Sequence, residues 1–165
     1  MNLRQLLDEM RRAGYLVTIS RPVDPRYEMA RVIAALDGKP VLFTHVRGSA
    51  YPVVSGLCSD RRYFALALGE PVERLLFRLA DALARPVPPP VVEEALCQEV
   101  VETDVDLGTL PFLTHWPGDA GPYATASVAI ISDPDTGPNA SYHRLLRLDN
   151  RRCAARIVER RGTDT

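Results

Sequence analysis

The residues best equipped for chemistry lie between Asn139 and Gly162, where Ser141, Tyr142, His143 and Arg144 precede a run of further arginines: Arg147, Arg151, Arg152, Arg156, Arg160 and Arg161. A guanidinium is planar, permanently charged and carries a fixed fork of donors, so it holds carboxylates and phosphates through paired hydrogen bonds. Arg144 inside an apolar strand also has a plainer reading, the commoner one for any single strand arginine. It faces solvent or forms an ion pair that only fixes the fold, because charged side chains are seldom buried without partners.

Positioning such groups requires a rigid element, and the local pattern supplies a β-hairpin. Apolar-rich runs at 141–148 and 153–158 flank Asp149-Asn150, a pair that adopts turn conformations at little cost. Alternate strand residues share a face, so Ser141, His143 and Leu145 point one way while Tyr142, Arg144 and Leu146 point the other.

Upstream, residues 98–103 and 123–132 read as strands, 105–117 as an irregular segment, 117–122 as a loop, and 133–138 as a turn-rich crossing. His115 has the chemistry of a proton-transfer group or metal ligand. A lone histidine beside a tryptophan and prolines is more often packed or at the surface, so it is left outside the site.

The first half of the chain alternates helices and strands. Asn2 and Gln5 form a capping-box pair, with Leu3, Leu6, Leu7 and Met10 on one helical face and Gly14 as the stop. A strand at 15–19 leads to Asp24-Pro25, read as an N-cap with proline at the first helical position, and Met29, Val32, Ile33 and Leu36 carry the apolar stripe. Strands at 40–43 and 52–56 flank a turn at 47–49. Ser59-Asp60 caps a third helix, and Pro71 opens a fourth whose Leu75, Leu76, Leu79 and Leu83 form a stripe expected to be buried. Pro86, Pro88, Pro89 and Pro90 exclude helix interior and central strand. The expected organisation is therefore an α/β unit over 1–90 with its proline-rich connector, followed by a β unit over 91–165.

A chain of 165 residues with 46% hydrophobic content can bury one good core or two small ones. The net charge of -1 gives no long-range attraction to nucleic acid or acidic membranes. Lys39 is the sole lysine, so nearly all positive charge is arginine, an imbalance for which genomic bias is the plainer cause. Cys58, Cys97 and Cys153 have neither zinc spacing nor a disulfide pattern, which suits a reducing compartment. With no signal-like apolar core near the N-terminus and no run that would span a bilayer, the expected location is the cytoplasm.

The order of residues resembles the UbiD-type decarboxylases, which use prenylated FMN to add or remove carboxylate on unsaturated and aromatic acids. The resemblance rests on Asn139-x-Ser141-x-x-Arg144, on Arg156-Ile157-Val158 after the hairpin, and on Leu110-Pro111-Phe112-Leu113-Thr114, Trp116-Pro117 and Gly121-Pro122-Tyr123-Ala124-Thr125 upstream. Residues 16–25 and 40–57 also have the family's look. It implies an N-terminal α/β domain followed by the first strands of a flavin-binding split β-barrel.

It further implies Arg144 as the residue that handles the substrate carboxylate beside the flavin. Thr125, Ser141, Tyr142, His143, Arg144, Arg156, Ile157 and Val158 match cofactor positions, and Asn139 matches a ligand of a divalent metal, manganese in kind. On its own Asn139 reads as a turn residue, though its amide oxygen is a hard donor suited to such a cation.

Three departures stand out. Arg161 falls near a family histidine ligand and cannot coordinate a cation. Ser127 replaces a frequent glycine. The resemblance stops at Thr165, short of the later acidic metal ligand and the proton-transferring glutamates. The expectation is a truncated, catalytically incomplete part of a decarboxylase acting on a small carboxylic acid, with open strand edges that a complementary chain or another copy would cover. The competing reading is a non-catalytic interaction subunit whose arginines bind a partner or a polyanion. Aromatic interleaving for stacking bases is sparse, so nucleic acid is disfavoured.

Overall fold

The computed structural model describes residues 1–135 and 137–158. Two three-stranded sheets and four α-helices make up the fold, as the α/β reading expects. The first sheet has the order β1 (Val17–Ile19), β2 (Val41–Phe43), β3 (Val53–Ser55), parallel between β1 and β2 and antiparallel between β2 and β3. Helix α1 (Leu3–Arg12) starts at the anticipated capping box, with the Asn2 side chain accepting from the Gln5 amide and the Gln5 side chain accepting from the Asn2 amide. It packs against α3 (Arg61–Leu68), where Tyr15 and Tyr63 meet edge to face at 5.4 Å.

The core lies between the first sheet and α2 (Glu28–Ala35): Val23, Met29, Val41, Phe43 and Val46 are buried, and Leu113 from the second half of the chain packs onto them. Gly56 closes the sheet tightly. Its φ of 81° is a conformation L side chains avoid, and a Cβ there would stand 2.9 Å from the Lys39 carbonyl oxygen.

Four sequence expectations fail here. Asp24 does not cap α2. The chain instead makes a γ-turn centred on Tyr27 (φ 66°), with the Glu28 amide donating to the Arg26 carbonyl. Distant contacts hold that rare geometry: the Tyr27 amide donates to the Thr114 carbonyl, the Thr114 amide donates to the Pro25 carbonyl, and the Glu28 carboxylate accepts from the Asp24 amide. The leucine stripe of α4 (Leu75–Ala84) is not buried. Only Leu75 is covered, while Leu76 is 74% exposed and Leu79 and Leu83 also face outward, because no described element packs over them.

Residues 98–103 form no strand and pair with no described strand; a 3-10 turn at Leu96–Gln98 leads into them. The strand expected over 153–158 is the shorter β6 (Cys153–Ala155), which pairs with residues 145–147 of β5.

Asp60 caps α3 as expected, accepting from the Arg62 amide. The hydrogen bond from the Arg62 guanidinium, followed by that amide, holds the Asp60 carboxyl at about 2 against an ordinary 3.8. A depressed folded value contributes stability above the ordinary value and loses it as pH falls through about 2. Urea midpoints of wild type and Asp60→Asn should therefore differ at pH near 6 and converge toward pH 2. A gap that persists undiminished in acid would assign the effect to something other than this carboxylate.

Candidate functional site

The second sheet carries the site, in the order β4 (Tyr123–Asp133), β5 (Gly137–Arg147), β6, all antiparallel. The expected hairpin at Asp149-Asn150 is present. The Asp149 side chain accepts from the Arg151 and Arg152 amides and from the Arg152 guanidinium, which keeps its carboxyl below the usual range, the Arg151 amide contributing most. The longer hairpin is β4–β5, and it contains a bulge. Ala124 pairs with Leu145 and Ser127 with His143, so Thr125 and Ala126 together oppose Arg144. A bulge of this kind redirects side chains and deepens local twist.

Around it opens a cavity of about 620 Å³. Arg144 and Arg156 supply its charge, Thr125 a hydroxyl, and Tyr123, Leu146, Ala154 and Ala155 an apolar floor. His115, Trp116 and Asp119 complete the wall. Neither Arg144 nor Arg156 forms an ion pair among the described residues, whereas Arg151 pairs with Asp104, Arg152 with Asp149, and Arg147 donates to the Leu107 carbonyl. Two guanidinium groups without a protein anion beside an apolar floor suit a planar, anionic ligand.

The residues singled out in the sequence separate into groups. Thr125, Arg144 and Arg156 share the cavity. Asn139, Ser141 and His143 occupy the opposite face of β5, with Ser141 Oγ 2.9 Å from His143 Nε2. Tyr142 shares the Arg144 face but is 79% exposed and stands outside the cavity wall. Ile157 and Val158 follow β6 and are exposed. Arg160 and Arg161 lie outside the described residues.

Among the described residues no three His, Cys, Asp or Glu side chains come together, so these residues by themselves do not make a divalent-metal site around Asn139. The lining is of the kind a flavin needs: an apolar floor for a ring system and, at Arg144 and Arg156, two guanidinium groups with no ion pair among the described residues for an anion.

The sequence reading set His115 aside, and it lines the cavity beside Trp116. The missed signal was Asp119, whose Oδ2 accepts from the His115 amide at 3.0 Å and the Trp116 amide at 2.9 Å, folding 115–119 into a fixed rim. No described helix is long and apolar enough to cross a membrane.

A mixed α/β chain with an arginine-lined cavity on a bulged β-hairpin is the class that the fold and site define. Comparison with known proteins narrows it. Residues 7–83 match the 3-octaprenyl-4-hydroxybenzoate carboxy-lyase N-terminal domain and residues 90–165 the Rift-related domain of the same family. The chain belongs to the UbiD family.

It is 35% identical over 167 aligned positions to anhydromevalonate phosphate decarboxylase of Methanosarcina mazei, covering 99% of this chain and 37% of that protein. An evolved dimeric form of the UbiD-class enzyme HmfF from Pelotomaculum thermopropionicum, solved with prenylated FMN, superposes with a TM-score of 0.91 at 40% identity, over 98% of this chain and 39% of that one. The apo 3,4-dihydroxybenzoic acid decarboxylase AroY of Klebsiella pneumoniae matches with a TM-score of 0.89 at 26% identity, over 98% of this chain and 38% of that one. The chain thus spans a little over a third of the length of these relatives.

Proposed function

We propose that this chain is the part of a UbiD-type decarboxylase that supplies one wall of a prenylated-FMN pocket, in an α/β unit over 1–90 and a β unit over 91–165. The reaction would be the reversible, non-oxidative decarboxylation of an aromatic or α,β-unsaturated acid. The observation that carries this reading is the meeting of Arg144, Arg156 and Thr125 on one open cavity, with both guanidinium groups unengaged by any described carboxylate. In this reading Arg156 and Thr125 hold the cofactor, while Arg144 orients the substrate carboxylate beside it.

The modified flavin, when bound, accepts the electron pair that the departing carboxylate leaves behind. Proton delivery needs a free acid, and none lines the cavity among the described residues. Among the described residues Asp119 is the only carboxylate lining the cavity, and its Oδ2 already accepts two backbone amides. The 165 residues alone are therefore proposed to bind flavin without turning over.

The pairing of Arg151, Arg152 and Arg147 weighs against the polyanion reading, since those cations are already engaged.

Trp116 is the only tryptophan, so its emission reports on the cavity. Titration with FMN should quench it saturably, and the chain loaded with prenylated FMN should release no CO2 from a panel of aromatic and acrylic acids until a polypeptide carrying the missing acids is added. Absence of quenching would overturn the pocket, and rapid CO2 release by the chain alone would overturn its incompleteness.

A further inference from the structure

Trp116 is 73% exposed, yet the backbone that carries it is pinned on both sides. Before it, Thr114 is clamped to the first sheet's loop by the Tyr27 amide and the Pro25 carbonyl, and the Leu113 carbonyl accepts from the Tyr123 amide. After it, Asp119 holds the His115 and Trp116 amides through one carboxylate oxygen, while its own amide donates to the Trp116 carbonyl at 3.0 Å. A large apolar side chain presented to water from a fixed backbone, at the wall of a cavity with two arginines that have no ion pair among the described residues, is the arrangement expected of a ligand contact.

We propose that Trp116 is a specificity-determining residue that stacks on the planar ring of the ligand whose anion Arg156 holds, and that Asp119 is its positioning residue. The inference rests on the flavin reading above. A cavity of about 620 Å³ is more than a single-ring acid fills, which favours the tricyclic flavin as the stacked ring. The ring supplies affinity through its face, so the contact selects for planarity, whereas Arg144 and Arg156 select for charge.

Calorimetric titration of the full chain with FMN tests both roles. Trp116→Ala should bind FMN about tenfold more weakly than wild type, the usual cost of a lost ring-on-ring contact, and Trp116→Phe should stay within about twofold. Trp116→Leu, apolar but not planar, should show the alanine loss. Its thermal melt, expected to match wild type, separates that loss from unfolding. Asp119→Ala should weaken FMN in the wild-type background and have no further effect in the Trp116→Ala background, because a positioning residue acts only through the group that it positions.

Equal losses from Asp119→Ala in the two backgrounds would overturn the positioning role. Undiminished affinity of Trp116→Ala, with wild type binding FMN normally, would overturn the stacking role and leave the flavin pocket standing. Failure of wild type itself to bind FMN would overturn both.

Discussion

Arg144→Ala is expected to weaken binding of benzoate to the flavin-loaded protein by about 3 kcal/mol, roughly 150-fold, while leaving the melting temperature where it was. The two halves of that expectation come from the same observation. Arg144 is exposed, has no ion pair among the described residues, and stands opposite the β4 bulge at the cavity, so its removal takes no partner from the fold. A ligand carboxylate, in contrast, would lose charge-assisted hydrogen bonds in a partly enclosed site, where such bonds count for more than in bulk water. Arg144→Lys should recover only part of the affinity, since an ammonium keeps the charge but not the fork. Calorimetry alongside a thermal melt checks both, and an alanine variant that binds benzoate as tightly as wild type would remove Arg144 from the site.

The largest effect on stability is expected at Phe43. Its side chain is fully buried at the centre of the first sheet, where β1 and β3 flank it through Ile19 and Val53 and where Val23 and Met29 share the core. Phe43→Ala should cost about 4 kcal/mol, the transfer free energy of the ring together with the cavity that it leaves, and lower the melting temperature by roughly 12 °C. Phe43→Leu, which refills most of the space, should cost about 1 kcal/mol. A melt of the alanine variant within a few degrees of wild type would mean that the neighbours collapse into the void.

The consequence reaches the site through packing. Leu113 rests on this same core, and the next residue, Thr114, is bonded to Pro25 and Tyr27 just before the chain enters the cavity wall at His115. Loosening the core at Phe43 should therefore also weaken FMN binding, together with stability, whereas Arg144→Ala weakens benzoate binding without touching stability.

Several elements were legible in the chain because their determinants are local. The capping box at Asn2 and Gln5, the cap at Asp60 and the turn at Asp149-Asn150 each depend on side chains within three residues of the backbone groups that they satisfy. Strand alternation likewise separates Arg144 from Ser141 and His143, and the sheet keeps them on opposite faces.

What failed were readings that assumed a covering neighbour or overlooked a distant one. The stripe on α4 has the spacing of a buried face, but periodicity says only that a face is apolar, not that anything covers it. Asp24-Pro25 has the composition of a helix start, and bonds from Thr114 hold the chain in a γ-turn there instead.

The amino-acid order determined the family and its elements, together with the residue types able to grip an anion, since those follow from patterns within a few positions along the chain. The tertiary structure alone decided that Arg144, Arg156 and Thr125 share a cavity with His115, Trp116 and Asp119, while Asn139 turns away from it. That choice rests on the β4 bulge and on the clamp at Thr114, and both are set by hydrogen bonds between segments far apart in sequence.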